Sequence, residues 1–216
     1  MKNISTLLLV LLITVNGLMA QKKLTEGTIS YDIVINTGSA KPQAADFLDG
    51  ATSTVFINGN KTRTDMVSSL GTQSTIMDAS KNAITILKEY GDKKYMIKLT
   101  PSDWKDANKK YENVSFIQTD ETKTIAGYTC KKAVGKLADG TTFTVWYTPD
   151  LVTENKEFQY ATQNLPGLAM EYETNLGNVK VTYTVSKISF APVAASKFDL
   201  PKAGYRVLTY AESKGG

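Results

Sequence analysis

Few residues in this sequence can carry out catalysis or hold a metal. The 216 residues contain no histidine and a single cysteine, Cys130. A Ser-His-Asp or Cys-His nucleophile system therefore cannot form, and neither can the usual nitrogen- and sulfur-ligated sites for zinc, copper or iron. We predict no catalytic residues, no metal site and no cofactor. Cys130 is expected to be a buried thiol that packs as a small hydrophobic side chain.

Two weaker catalytic interpretations remain, and both have a simpler explanation. Ser102 and Lys105 have the Ser-x-x-Lys spacing of some acyl-transfer enzymes, but the companion Ser-Asp-Asn and Lys-Thr-Gly motifs are missing. Carboxylates could also pair as in glycoside hydrolysis, although short acidic side chains are common in turns for local reasons. These carboxylates are Asp46, Asp49, Asp65 and Asp78. An enzymatic function therefore ranks last.

Methionine and aromatic side chains are the candidates for binding an apolar ligand. Methionine adapts to irregular apolar shapes and is frequent at promiscuous binding surfaces. The candidate ligand-binding residues are Met66, Met77, Met96, Trp104, Trp146, Met170 and Tyr172. The same residues would pack an ordinary filled core equally well, so both possibilities stay open.

The first twenty residues have the pattern of a secretory signal peptide. Lys2 is followed by an apolar run over residues 7–15 and then by residues 16–20 (Asn-Gly-Leu-Met-Ala), which supply a breaker and a small-residue cleavage site at Ala20. This pattern predicts cleavage after Ala20, a mature single domain over residues 21–216, and a periplasmic or secreted location. The apolar run is shorter than the roughly 20 residues of a membrane span, and we predict no transmembrane segment in the mature chain.

Alternation of apolar and polar residues with a period of two dominates the mature sequence and predicts antiparallel strands. Asn58-Gly59-Asn60 between two such runs is a strong hairpin pattern. The predicted strands cover residues 27–35, 51–57, 61–67, 72–77, 83–87, 95–99, 128–137, 141–147, 168–174, 179–190 and 205–210.

Two segments interrupt this alternation. Thr100, Pro101 and Asp103 form a helix-start pattern, which predicts a helix to about Tyr111 with Trp104 facing inward. Residues 38–50 are expected to form a short helix or a lid. Further along, Pro166-Gly167 predicts a type II turn with positive φ at the glycine.

Together these elements predict a mainly β protein. A large antiparallel sheet curls, and its concave face must be covered or filled. We expect a large curved antiparallel sheet, or incomplete β-barrel, with one or two short helices covering the concave face. The net charge of +4 is modest and basic residues form no run, so nucleic-acid binding is not expected.

Four stretches resemble a group of secreted proteins. Residues 164–171 (Asn-Leu-Pro-Gly-Leu-Ala-Met-Glu) resemble the Gly-Leu-Pro-Gly-Leu-Ile motif of uncharacterised secreted Bacteroidetes proteins. Residues 61–66, 125–132 and 197–201 are also similar to that group. These proteins look like distant relatives of the lipoprotein-carrier (LolA/LolB-type) half-barrel, whose hollow holds acyl chains.

The resemblance implies a non-catalytic periplasmic binding or carrier protein. Its ligand would be a lipid or another apolar small molecule, with residues 38–50 and 101–111 as candidate lids. The alternative is a cell-envelope interaction or scaffold protein with a filled core and no small ligand. Such a protein would recruit envelope partners through an exposed apolar patch or an edge strand.

Overall fold

A computed structural model shows that the alternating segments form the strands of the fold. It describes residues 21–36, 48–176 and 179–215. The strands are β1 (Lys22–Leu24), β2 (Glu26–Asn36), β3 (Thr52–Asn58), β4 (Lys61–Ser68), β5 (Gly71–Asp78), β6 (Ala83–Tyr90), β7 (Lys93–Leu99), β8 (Ser115–Ile125), β9 (Tyr128–Lys136), β10 (Thr142–Thr148), β11 (Leu151–Thr153), β12 (Leu168–Leu176), β13 (Val179–Ser189) and β14 (Arg206–Thr209). The helices are α1 (Pro101–Ala107) and α2 (Tyr210–Lys214), with 3-10 segments at Lys109–Tyr111, Glu157–Thr162 and Ala195–Phe198.

Twelve of these strands form one sheet, which confirms the predicted fold class. Their order is β14-β7-β6-β5-β4-β3-β2-β13-β12-β10-β9-β8. All neighbours are antiparallel except β14 and β7, which run parallel. The sheet is not closed into a barrel, because β14 and β8 remain at its two edges in the described residues. Strands β1 and β11 form a separate parallel pair.

The local turn and cap patterns produce the elements that they predict. Asn58 pairs with Lys61, so β3 and β4 are joined by a two-residue turn in which Gly59 has a φ of 55°. At α1, Thr100 and Asp103 form a capping box, and Pro101 begins the helix. The helix ends at Ala107, earlier than predicted, and the chain continues into the 3-10 segment Lys109–Tyr111.

The predicted type II turn at Pro166-Gly167 is wrong. Gly167 is not among the glycines with positive φ in the described residues. Its backbone instead lies against β10, where an added Cβ atom would come within 2.1 Å of the Thr148 carbonyl oxygen. Close backbone approach, rather than turn geometry, is therefore what requires glycine here.

Strand β8 was not predicted from the alternation, and its burial explains why. It lies at the sheet edge, and Ile125 is the one buried residue of this strand. A bulge between Gln118 and Thr122 also shifts its register with β9, which breaks the period of two. The short strands β1 and β11 were missed as well.

Some predictions fall outside the described residues. The signal peptide over residues 1–20 is one of them. The helix or lid predicted over residues 38–50 is another, since only residues 48–50 of it are described.

The sheet has a concave face and an outer face, and the chain covers each with different segments. On the outer face, Ile76, Leu87 and Met96 form a buried cluster under Tyr205. The tail before β14 crosses this face and is attached there by the hydrogen bond that Arg63 donates to the Lys197 carbonyl oxygen, at 3.1 Å. The concave face is covered by α1 and by the two 3-10 segments Lys109–Tyr111 and Glu157–Thr162. We call these three elements the covering segments.

Candidate functional site

A cavity of about 250 Å³ lies between the concave face and the covering segments. Six neighbouring strands, from β5 across to β12, contribute side chains to its wall. One residue from each strand is Tyr31, Ser53, Thr64, Thr75, Tyr172 and Tyr183. Six adjacent strands can face one cavity of this size only because the sheet curls around it.

Helix α1 places Trp104 over this cavity. The helix start is held by the hydrogen bonds from the Thr100 amide to Asp103 Oδ2 (2.9 Å) and from the Asp103 amide to Thr100 Oγ1 (3.2 Å). At the other end, Asn108 Nδ2 donates to the Trp104 carbonyl oxygen at 2.9 Å. A helix of seven residues is marginal alone, so these caps matter for the position of Trp104.

The segment Glu157–Thr162 forms the other part of the cover. Its start is held by Asn155, which accepts a hydrogen bond from the Glu157 amide at 2.9 Å and donates one to the Asn60 carbonyl oxygen at 3.3 Å. Its end is held by the Lys156 ammonium group, which donates to two backbone carbonyl oxygens, those of Gln163 and Leu165. The segment is therefore tied to the β3–β4 hairpin.

Tyrosines form much of the sheet side of the cavity. Tyr172 stacks on Tyr183 with ring centroids 4.8 Å apart and meets Tyr31 edge to face at 6.0 Å. The Tyr31 hydroxyl donates to the Ala169 carbonyl oxygen at 3.1 Å. Burial raises the pKa of all three hydroxyl groups above the ordinary tyrosine value. These groups therefore stay neutral near physiological pH.

The cavity wall carries no charge. Among the described residues that line it, none is Asp, Glu, Lys or Arg. Its polar groups are hydroxyls and amides, such as those of Ser53, Gln73 and Thr162. Because an unpaired charge is expensive to bury, this wall suits a neutral part of a ligand.

A second cavity of about 260 Å³ adjoins the first. Trp104 and Tyr160 line both cavities, and Met77, Ile84 and Pro101 contribute to the second. Unlike the first cavity, the second has charged residues in its wall, among them Asp78 and Lys105, so it is a less uniform environment for an apolar ligand.

The structure brings together four of the seven predicted ligand-binding residues. Met66, Trp104 and Tyr172 line the first cavity, and Met77 lines the second next to Trp104.

The other three predicted ligand-binding residues lie elsewhere. Met96 is buried on the outer face, and Met170 is fully buried in the main core cluster. Trp146 stands opposite Glu171 on β12. The next residue on β12, Tyr172, faces the cavity, so Glu171 and Trp146 lie on the outer face. There, Lys123 Nζ lies 4.4 Å from the centre of the Trp146 ring.

Several lining residues were not predicted from the sequence. Tyr31 and Tyr183 lie on strands that alternation identified, but alternation does not tell which aromatic residues meet across the sheet. Gln159 and Tyr160 belong to a 3-10 segment that has no periodic pattern to reveal it.

The described candidate catalytic residues lie apart from the first cavity wall, and Asp46 lies outside the described residues. Lys105 pairs with Glu112 at 2.9 Å, and this hydrogen bond raises the pKa of the lysine. Asp65 lies on the outer face between Arg63 and Lys197. Cys130 is fully buried, as predicted, and burial raises the pKa of its thiol to about 11.

Asp78 has a local role in a turn. Its side chain accepts a hydrogen bond from the Ser80 amide at 3.1 Å. Over residues 21–36, 48–176 and 179–215, no group of three or more Asp, Glu, Cys or His is placed to hold a metal ion. In the same part of the chain, no helix has the length and apolar character needed to cross a membrane.

Comparison with known proteins identifies one family. The model of the family described as N-glycanase peptide, N-terminal domain, matches residues 47–212. No curated protein matches the chain.

Three solved structures are similar at low sequence identity. PNGF-II in space group P21 is 15% identical, with a TM-score of 0.46, and the match covers 86% of this chain and 31% of PNGF-II. This chain thus spans about a third of the length of PNGF-II. MucB is 10% identical, with a TM-score of 0.43 and coverage of 85% and 60%. An uncharacterized conserved protein from Thermus thermophilus is 8% identical, with a TM-score of 0.52 and coverage of 86% and 91%, and shares the fold.

Proposed function

We propose that this chain, which belongs to the family described as N-glycanase peptide, N-terminal domain, is a non-catalytic binding or carrier domain. Its ligand would be a lipid-like or otherwise apolar small molecule held between the curved sheet and the covering segments. The observation that carries the proposal is the uncharged, tyrosine-rich cavity on the concave face.

The size of the cavity sets how much of a ligand it can hold. Small-molecule pockets usually have volumes of roughly 300–1,000 Å³, and this cavity of about 250 Å³ is slightly smaller. A short acyl segment or one end of an amphiphile therefore fits better than a whole long-chain lipid. Each methylene removed from water contributes about 0.8 kcal/mol, so even a short segment is bound favourably.

The absence of histidine supports a non-catalytic role. Ser102 is exposed in the first turn of α1, and Lys105 is held protonated by Glu112 and is unsuited to act as a base there. The signal-peptide pattern of residues 1–20 supports a periplasmic or secreted location. A carrier there would shield an apolar group across an aqueous gap.

The alternative is an envelope scaffold protein that recruits partners by strand addition. The edge strand β8 favours it, since Ile117 on this strand is 66% exposed. Cross-linking in intact cells that yields stable partners, together with no extractable ligand, would support this alternative over the carrier.

The direct test is to purify the mature chain from its native envelope, extract it with organic solvent and identify bound lipids by mass spectrometry. Thr64→Phe fills the cavity from β4 and should abolish co-purification. Val67→Phe is the matched control, because Val67 lies on the same strand but is 49% exposed on the outer face. Lipid in the wild type and V67F but not in T64F supports the proposal. No lipid above background in the wild type overturns it.

A further inference from the structure

We propose that the ligand presents a neutral carbonyl oxygen, from an ester or an amide, to two hydrogen-bond donors in the cover of the cavity. The donors are Trp104 Nε1 and Gln159 Nε2. This inference rests on the proposed function and adds the chemical class of the ligand.

Both donors are buried without a partner. Trp104 Nε1 and Gln159 Nε2 have no hydrogen-bond acceptor among the described residues. Folded proteins leave few buried polar groups in this state, so each one calls for an explanation. Thr62 Oγ1 is the third such atom in the described chain, but Thr62 does not line the cavity.

The residues that carry the two donors line one cavity, although they come from different segments. Trp104 belongs to α1 and Gln159 to the 3-10 segment Glu157–Thr162, and both line the cavity wall. Gln159 has non-helical backbone angles, φ −108° and ψ 38°, where two helical turns meet. An acceptor on a ligand between the sheet and the cover would satisfy donors from both covering segments.

The uncharged character of the described cavity wall limits which hydrogen-bond acceptor the ligand can present. A carboxylate or phosphate would need a cation, and no described residue of the wall carries one. A hydrocarbon would leave both donors unpaired. A neutral carbonyl oxygen has two lone pairs and can accept both hydrogen bonds without bringing a charge.

The remaining wall suits an alkyl chain attached to that carbonyl. Val55, Met66 and Phe158 lie in the same cavity, next to the stacked rings of Tyr172 and Tyr183. The ligand class is therefore a neutral acyl ester or amide rather than a free fatty acid.

The experiment compares four probes with the purified mature protein by isothermal titration calorimetry at pH 8. Methyl octanoate carries the chain and the neutral carbonyl, octanoate carries the chain and a charge, nonane carries only the chain, and N-acetylglucosamine carries an amide carbonyl without a chain. We expect methyl octanoate to bind about tenfold more tightly than octanoate or nonane.

Four variants distinguish the loss of a hydrogen-bond donor in the cavity from a general change in side-chain packing. Trp104→Phe and Gln159→Leu each remove one donor and should weaken methyl octanoate binding about fivefold, with nonane unchanged. Trp146→Phe and Gln163→Leu remove the same groups outside the cavity wall and should change neither. Circular dichroism verifies that each variant is folded, and Gln159→Leu alone tests the inference if Trp104→Phe does not fold.

The outcomes distinguish this inference from the proposed function. Binding of none of the probes contradicts the proposed function itself. Two outcomes would support the apolar site but overturn the carbonyl. One is that the wild type binds nonane as tightly as methyl octanoate. The other is that each donor variant weakens the binding of nonane as much as that of methyl octanoate. Preference for octanoate overturns the neutral carbonyl. Preference for N-acetylglucosamine overturns the alkyl chain, and with it the ligand class of a carbonyl attached to such a chain.

Discussion

Trp104 and Tyr160 meet edge to face, with ring centroids 6.4 Å apart and an interplanar angle of 89°. Because Trp104 belongs to α1 and Tyr160 to the segment Glu157–Thr162, this contact joins two covering segments that are far apart in the chain. Both rings also line both cavities. The cover is therefore held together by the same side chains that form the boundary of the candidate site.

Tyr160→Ala tests this role. It removes an edge-to-face pair worth about 0.5–1.5 kcal/mol in addition to buried ring area, and we expect a loss of about 2 kcal/mol in the free energy of unfolding. In a Trp146→Phe background, Trp104 is the one remaining tryptophan of the sequence and its emission should shift to the red. Urea unfolding and fluorescence measure both effects. Tyr160→Phe keeps the ring and should change neither, and an unshifted emission in Y160A would contradict the role of the contact.

Local patterns predicted the elements whose partners lie within a few residues of one another. The Thr100 and Asp103 side chains bond each other's backbone across three residues, and Asn58 pairs with Lys61 across a two-residue turn. Such contacts depend on residue type and spacing alone. They can therefore be predicted from the sequence.

The composition of the site depends on pairings that no local pattern specifies. Tyr183 stands opposite Ile33, so it reaches the wall near Tyr31 only because β13 pairs with β2, which lies far from it in the sequence. Alternation separates the two faces of a strand but does not identify the concave one. For this reason Met66 and Met96 were equivalent in the sequence, although Met96 lies on the outer face.

Cys130 is expected to be chemically inert in the folded protein. Burial raises the pKa of its thiol to about 11, so the thiolate fraction at pH 8 is very small, and the side chain is also inaccessible. Ellman's reagent at pH 8 should label the native protein very slowly and label it completely in concentrated urea. Rapid stoichiometric labelling of the native protein would show that the thiol is accessible.

Asp65→Asn should destabilise the fold in a pH-dependent way. Asp65 pairs with Arg63 at 2.5 Å and with Lys197 at 3.1 Å on the outer face, and its side chain is 14% exposed. Burial opposes its ionisation, but hydrogen bonds from Ser74 and Arg63 and the charge of Arg63 outweigh this and lower its pKa. Asp65→Asn removes the carboxylate that pairs with Arg63 and Lys197. We expect it to lower the free energy of unfolding by about 1–3 kcal/mol at pH 7.

The pH dependence follows from the sign of this shift. A carboxyl group whose pKa is lower in the folded state stabilises the fold above its unfolded pKa of about 3.9. This contribution is lost as the pH falls from about 4 through the lowered folded pKa. The difference in unfolding free energy between wild type and D65N should therefore shrink below pH 4. Asp120→Asn, an exposed carboxylate on β8, is the control and should show little difference at either pH.

Gly27→Ala should be strongly destabilising because of backbone contact. Gly27 has a φ of 151°, and a Cβ atom there would come within 2.2 Å of the Ser189 carbonyl oxygen on β13. We expect a loss of about 2–4 kcal/mol in chemical denaturation, since strands β2 and β13 must separate to admit the methyl group. Gly140 also has a positive φ, 87°, but an added Cβ atom would meet nothing within 4 Å. Gly140→Ala should therefore lower the free energy of unfolding by only about 1 kcal/mol. Equal losses in the two variants would show that backbone angle alone is responsible.

Thr100→Ala and Thr209→Ala together test whether α1 positions the site. Both threonines form the same capping box, with Asp103 at α1 and Glu212 at α2, so each substitution should cost about 1 kcal/mol of unfolding free energy. Only α1 carries Trp104 over the cavity, whereas α2 follows the edge strand β14. In a Trp146→Phe background, T100A should therefore broaden and red-shift the emission of Trp104 and weaken methyl octanoate binding severalfold. T209A should change both much less, because α2 contacts α1 through the exposed side chain of Asp106, to which Tyr210 and Lys214 bind. If the two variants lower stability equally and neither changes the emission or the binding, the cap does not position Trp104, and the contact with Tyr160 must hold the indole ring in place by itself.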